Sequence, residues 1–386
     1  MASSIFESRE LVAASSVVVS PPFLMRRIDP VSVDTYKAYV HHRGYWANSL
    51  TLWKFNDVLF FPRDAVLFDQ NHVLIEEVNY SYIRAPLSCA VDDVVPSGEE
   101  LPQRKMAAAF AALGDRTQIK KTAFLCFHRY YRVYSHWHCE TLFSLFLLLG
   151  DLADRNVIGG EDFCFVLPKL TQLQAAGVQA ILKCFGLGDD VIVQCDMNDL
   201  VLYSFDELIV PTALFARTWL HPKIYEFSKF LRLAMGVGLS SKNFQKWQPI
   251  RKIYVSRRDA GARRMVNEEE LEAALEKLGF EIKLLSNMSY VKQIEEFSSA
   301  SLVLGAHGSG FTNLLFSEEG TLVIEIRADR HKGRSPMWDR SFWILPSVLK
   351  QSYGFIMCDG DDDTDTWSAP IDEIISTIET LGFGAG

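Results

Sequence analysis

The sequence predicts an α/β protein: two parallel-sheet domains facing a cleft, with a β-rich region ahead of them. Three observations carry this. Strand-like apolar runs alternate with helical stretches from Lys121 to Val210, and the alternation resumes at Lys252. Before Lys121, short apolar runs are separated by turn residues instead. Finally, in Ser301 to Asn313, SLVLGAHGSGFTN, an apolar run breaks at glycines and becomes a short apolar helix.

Residues 1 to 45 carry little pattern. In the β-rich region, Val58 to Phe61, Ala65 to Phe68 and Val73 to Glu76 are divided by Pro62-Arg63-Asp64 and Asp69-Gln70-Asn71, as in a meander. Pro96 to Pro102 reads as a polar connector. The first α/β domain then runs Thr122 to Phe127 (strand), His136 to Leu152 (helix, capped by Ser135), Phe163 to Leu167 (strand), Thr171 to Phe185 (helix) and Val201 to Val210 (strand). Pro211 and Pro222 bracket a break before a linking helix, Ile224 to Met235. In the second domain, Ile253 to Ser256 is a strand. A helix follows with Asn267 as cap, Glu270 completing a capping box, and Gly279 just past its end. Phe280 to Leu285, Tyr290 to Ser299, Ser301 to Gly305 and Thr321 to Ile326 continue as strand, helix, strand and strand, and Ile371 to Leu381 is the last helix. The expected divisions are 1–105, 106–215 and 216–386.

The chain has 386 residues, 48% hydrophobic and 23% charged, enough for two ordinary cores. A net charge of -9 argues against nucleic acid as a partner and requires a local basic cluster for any anionic ligand. Seven scattered cysteines, none in a Cys-x-x-Cys pair, indicate reduced thiols and a cytoplasmic setting. Val17 to Val19 is too short for a signal segment, and Leu142 to Gly150 too short for a membrane span. A patch at Met337 to Leu345, with Trp338, Phe342 and Trp343, is a weak candidate for peripheral membrane association; a packed helix is the alternative.

A strand that passes through His307-Gly308-Ser309-Gly310 into a helix start builds an anion site. Unpaired backbone N–H groups and the helix dipole face the turn, and Ser309 or Thr312 can add a hydroxyl. Arg257 and Arg258 follow the strand Lys252 to Ser256 at its carboxyl end, and Arg264 lies close behind. Arginine offers a planar fork that matches phosphate oxygens in pairs. Arg257 and Arg264 are therefore candidates for ligand contact, while Arg251 and Arg263 read as a solvated charged loop. Glu325, near the end of the next strand, could meet two ribose hydroxyls or pair with Arg327 or Arg330. In the first domain His136 and Glu140, four apart, share a helix face from which His138 points away. Either member could serve as a general base. The run Asp359 to Asp365 lacks the glycine of a calcium loop and reads as a solvated acidic loop, so no metal is expected.

These residues resemble glycosyltransferase family 61. The resemblance rests on Ser256-Arg257-Arg258, Arg264-Met265-Val266-Asn267-Glu268, Gln293, His307 to Asn313 and Glu325-Ile326, and more loosely on His136-Trp137 with Glu140-Thr141-Leu142. Ser309 stands where the family usually has Ala, and Glu140 where many bacterial members have Asp. The resemblance implies a GT-B architecture of two Rossmann-like domains. It also implies inverting, metal-independent transfer from a nucleotide sugar, usually a UDP-sugar, to a hydroxyl of a glycan or glycoconjugate. His136 or Glu140 would be the base. Arg257, Arg264, His307, Gly308, Ser309, Gly310, Phe311, Thr312, Asn313 and Glu325 would bind the donor. Two rival readings are a non-catalytic nucleotide-sugar or glycan-binding protein and an NAD-dependent oxidoreductase. The third glycine of a dinucleotide fingerprint is missing.

Overall fold

The computed structural model describes residues 5–28, 44–47, 49–63, 65–71, 75, 116–159, 162–198, 201–211, 221–237, 251–329, 341–359 and 366–384. Most of the third meander run, the connector Pro96 to Pro102, Arg330, Trp338 and the acidic run beyond Asp359 lie outside them. Within the described residues the protein is mixed α/β with no closed barrel. It divides into two compact units, Met1–Ser15 with Asn48–Thr218, and Ser16–Ala47 with Trp219–Gly386.

The first unit is built on one sheet. Its antiparallel part pairs Leu50–Phe61 with Ile5–Val12, with the hairpin partner Val66–Asp69 and with Leu202–Pro211. Its parallel part runs Leu202–Pro211, Thr122–Leu125, Phe163–Pro168, Ile192–Cys195. Phe163–Pro168 is buried along its whole length, which is why it reads as an unbroken apolar run rather than an alternating one. Along this run the strands sit fourth, first, second, third in chain order, so the order reverses beside Thr122–Leu125; Arg116–Ile119 pairs in parallel with Leu202–Pro211 off this run. The helix that follows this strand differs from expectation at its start. Val133, not Ser135, is the N-cap, and no side chain caps it. One α-turn, Tyr134–His136, passes into a π-helical turn, Trp137–Leu142, before regular helix resumes at Phe143–Asp154. The second helix, Gln172–Cys184, begins at Thr171 with a complete capping box to Gln174.

The second unit carries an all-parallel six-stranded sheet, in the order Phe280–Leu284, Lys252–Ser256, Leu302–Ala306, Leu322–Asp329, Ser352–Asp359, Leu24–Arg27. The last two strands were not evident in the sequence. One face carries Tyr254, Leu302, Leu304, Ile324, Ile326 and Ile356, packed in a single core with Leu271, Leu275, Ile374 and Ile378 from two helices. Alternation then sends Val255, Gly305 and Glu325 to the opposite face. The helix Glu268–Lys277 ends on Gly279 at φ +80°, as expected. Its capping box does not form. The Asn267 amide instead exchanges two 2.8 Å hydrogen bonds with the backbone of Ala369, which the pairing of Arg264–Met265 with Thr366–Trp367 brings alongside. In the described part of the Met337 to Leu345 patch the packed-helix reading holds. Phe342 and Trp343 belong to the helix Ser341–Val348 and are buried, with Trp343 Nε1 donating to the Ser20 carbonyl at 2.9 Å. No helix among the described residues is long and apolar enough to cross a membrane.

Candidate active site

In the second unit the five successive strands after residue 250 stand in the order second, first, third, fourth, fifth. The order reverses between Lys252–Ser256 and Leu302–Ala306, and ligands of open parallel sheets bind outside the carboxyl ends of the strands at such a switch point. Arg257 follows the first of these strands and His307-Gly308 the second, so topology alone brings the two sequence segments together.

Arg257 is half-buried there. Its backbone N–H donates to Glu268 Oε1 at 2.8 Å, and its Nη2 donates to the Ala262 carbonyl at 3.3 Å. Among the described residues no carboxylate lies within ion-pair reach of its guanidinium. Burial, with the nearby Arg263 charge, lowers its pKa from the ordinary value of 12.5. The guanidinium lies against Gly308: a Cβ at that position would stand 2.6 Å from Arg257 Cζ and closer still to Nη1. Gly308 has an extended backbone (φ 168°), so this glycine is needed for the close approach rather than for its torsion.

Gly308 is followed by a 3-10 helix, Ser309–Phe316. Ser309 and Gly310 are half-buried at its start, where the first amides have no partner within the helix. Phe311, Thr312 and Asn313 are fully buried. Phe311 packs on Phe342, and Asn313 Nδ2 donates to Gln293 Oε1 and the Gly310 carbonyl, each at 3.2 Å. Gln293 in turn donates to the carbonyls of Leu285 and Met288. These residues fix the shape of the turn. Thr312 Oγ1 is buried with no hydrogen-bond partner among the described residues.

Glu325 takes the second of its two readings, the pair with Arg327. It is fully buried and accepts hydrogen bonds from His307 Nδ1 (2.5 Å), Arg327 Nη1 (3.1 Å) and the Tyr353 hydroxyl. Burial acts to raise its pKa, but the Arg327 and His307 charges outweigh this and hold the carboxylate below the ordinary value. What it presents outward is His307, which remains part-exposed. Of the other basic residues, Arg264 is exposed, its side chain without a hydrogen bond or ion pair among the described residues. Arg258 pairs with Glu272 at 3.1 Å. Arg251 is not a solvated loop charge, since it bridges Glu281 and Glu296.

In the first unit His136 Nδ1 lies 2.9 Å from Glu140 Oε2, the contact the i,i+4 spacing predicts. Sequence reasoning missed the third member. His128, just beyond the strand Thr122–Leu125, places Nδ1 2.8 Å from the same oxygen and stacks on His136 with ring centroids 5.1 Å apart. Eight residues separate it from His136, across a turn that no helical period links. With Glu140 ionised, each Nδ1 carries the proton it donates; for His128 this contact is shorter than the 3.2 Å approach of the Tyr130 amide. Burial opposes ionisation of Glu140, but the His128 and His136 contacts win and its pKa is lowered. Burial likewise opposes charge on His136, and the Glu140 bond more than offsets it, raising the pKa above 6.5. His138 points elsewhere: it is buried, bonds to the Tyr134 carbonyl at 2.8 Å, and burial pushes its pKa down to about 4. The ligand atoms of His128, His136 and Glu140 lie within 4.8 Å of one another and could hold a metal ion. To do so both imidazoles would lose the Nδ1 protons that now face Oε2.

The second unit can grip an anion, and the first holds an imidazole able to take a proton. The family model of glycosyltransferase 61 matches residues 134–324, from the helix of His136 and Glu140 to the strand just before Glu325. The chain belongs to that family across this span and is a glycosyltransferase, with a sugar donor and an acceptor as its substrates. No curated protein matches the chain.

Proposed function

We propose that the protein is an inverting, metal-independent glycosyltransferase of GT-B type. Its donor is a nucleotide sugar, a UDP-sugar in the first instance, and its acceptor is a hydroxyl of a glycan or glycoconjugate; a cytoplasmic setting belongs to the same proposal. The observation that carries this reading is the half-buried Arg257 guanidinium, held against Gly308 with no carboxylate in ion-pair reach among the described residues. A cation kept in that state at a switch point is supplied for an anionic ligand, and a diphosphate fits it.

Inverting transfer is one displacement at the anomeric carbon. The acceptor oxygen forms its bond to that carbon as the bond to the diphosphate oxygen breaks, and the electron pair leaves with the diphosphate. The acceptor proton goes to His136 Nε2, the bare nitrogen of a ring whose Nδ1–H is held by Glu140. This assigns Glu140 to orientation and His136 to the base. It places His128 as a second brace on the carboxylate. The charge on the leaving group is met by Arg257 and by the amides at the start of Ser309–Phe316, each contact worth about 2–4 kcal/mol of barrier when desolvated. His307, set by Glu325, adds a donor; Ser309 and the exposed Arg264 complete the candidate donor set.

Calorimetry with UDP and with NAD, followed by turnover of a UDP-sugar panel, tests the reading. UDP binding with sugar transfer or hydrolysis is expected. Binding of NAD in its place, or a UDP complex that turns over no sugar, would overturn it.

A further inference from the structure

A pocket of about 650 Å³ lies wholly within the first unit, apart from the His128–His136–Glu140 cluster. Its volume is within the roughly 300–1,000 Å³ typical of small-molecule sites. Its wall combines the rings of Tyr131, Tyr134 and Trp137 with the polar groups of Lys169, Asp196 and Asn198. The rings come from the segment after the strand Thr122–Leu125. The polar groups follow the carboxyl ends of Phe163–Pro168 and Ile192–Cys195. Lys169 Nζ donates to Asp196 Oδ2 at 3.2 Å, and Asn198 Nδ2 to Asp196 Oδ1 at 2.9 Å. Trp137 is buried, and its Nε1 has no hydrogen-bond partner among the described residues. A buried indole N–H normally has one.

We propose that this pocket is a saccharide subsite, taking a neutral pyranose ring of the acceptor. Aromatic faces cover the apolar C–H face of such a ring, and a fixed carboxylate–amide–ammonium row meets its hydroxyls. Arg132 lines the pocket as well, but its Nε donates to the Tyr131 hydroxyl at 3.3 Å and its charge, like that of Lys169, acts on the Asp196 carboxylate, so a phosphorylated ligand fits worse. Residues 128 to 140 serve both places in turn. His128, His136 and Glu140 form the proton-handling cluster, while Tyr131, Tyr134 and Trp137 line the pocket. A sugar in the pocket is therefore held by the same short segment that carries the base. The inference rests on the glycosyltransferase reading and supplies its acceptor half.

The test is saturation-transfer NMR on the full chain with methyl glycosides of glucose, galactose, mannose, xylose and N-acetylglucosamine, with UDP as a second reporter. At least one glycoside should receive saturation, and Asp196→Ala and the exposed-site variant Asn198→Ala should each weaken its Kd about tenfold or more. In both variants the UDP signal should be unchanged. Absence of every glycoside signal at about 20 mM, well above the millimolar Kd of a single weakly held ring, overturns the proposal. So does glycoside binding that neither substitution alters, or UDP displacing the glycoside. Failure of the donor reading shows differently, as a wild-type protein that binds a glycoside in this pocket and gives no UDP signal.

Discussion

The position of the Arg257 guanidinium against Gly308 can be tested by a pair of substitutions and their combination. Arg257→Ala removes a charge-assisted contact to the donor diphosphate. Removing one preorganised donor at a centre of developing charge costs about 10²–10³-fold in rate, and that is the loss expected in kcat/KM for UDP-sugar turnover. Stability should change by about 1 kcal/mol or less, since the guanidinium's only hydrogen bond among the described residues is to the Ala262 carbonyl, at 3.3 Å. Gly308→Ala touches no charge and, with φ at 168°, strains no backbone. Its Cβ would nevertheless stand 2.6 Å from Arg257 Cζ, so the guanidinium must swing away. Gly308→Ala should then reproduce most of the Arg257→Ala loss, and the double variant should be little worse than Arg257→Ala alone. Residues in direct contact show coupling of about 0.5–3 kcal/mol, whereas independent sites add. UDP release measured for all four proteins, with thermal melts alongside, decides the matter. Losses that simply add would mean that the alanine obstructs the donor without moving the arginine, and the arrangement described here would be wrong.

In the base half, His136→Gln should lower kcat by about 10²-fold or more. Glu140→Gln should lower it by a smaller factor and shift the pH profile, and His128→Gln should act in the same direction as Glu140→Gln; an inert His136→Gln would move the base elsewhere. Because His136 is held above its ordinary value of 6.5, the acidic limb of kcat should lie above 6.5 in the wild type and fall in Glu140→Gln; an unmoved limb refutes the pairing. The sign of the stability effect follows from the two shifts. The raised His136 contributes stability that is full below its unfolded value and lost as pH rises through its folded one. The lowered Glu140 contributes stability that is present above 4.5 and lost as pH falls through its folded value. The difference in melting temperature between wild type and Glu140→Gln should therefore be largest between those two values and shrink on either side. Glu325→Gln leaves the Arg327 charge buried and less well paired, and should cost about 3–5 kcal/mol of stability by denaturant titration; a loss no larger than that of Arg257→Ala would contradict the network. Turnover should survive treatment with EDTA, and a metal-restorable loss would instead assign His128, His136 and Glu140 to an ion.

Most strand and helix positions were legible because period and punctuation agree with the structure from Thr122 onward. The exceptions have particular causes. Leu24–Arg27 and Ile192–Cys195 are four-residue strands with half-exposed positions, too short to show a period, and Leu24–Arg27 joins a sheet whose other strands lie more than two hundred residues away. In the candidate site, i,i+4 spacing predicted the His136–Glu140 contact, whereas His128 reaches Glu140 only through the fold of the loop between strand and helix. For Glu325 two readings stood open, because its place at a strand's carboxyl end was visible while its face was not. The side opposite Ile324 and Ile326 turns it into a buried group with three donors.

Charge pairing is used in opposite senses in the two units. A carboxylate at hydrogen-bond distance makes His136 a stronger base and fixes which nitrogen is bare, which is what proton acceptance needs. The same carboxylate beside Arg257 would cancel the charge a diphosphate requires. Glu268 is bound to the Arg257 backbone N–H and the Tyr254 hydroxyl, and burial raises its pKa from the ordinary value. It holds the loop in place through the main chain, by the hydrogen bond to the Arg257 N–H rather than by a contact to the guanidinium. Glu268→Gln preserves the shape of that acceptor and should leave UDP affinity within about threefold, whereas Glu268→Ala frees the loop and should weaken UDP tenfold or more, since a 1.4 kcal/mol loss of positioning suffices for that factor. Equal effects of the two substitutions would show that charge, rather than position, is what Glu268 supplies.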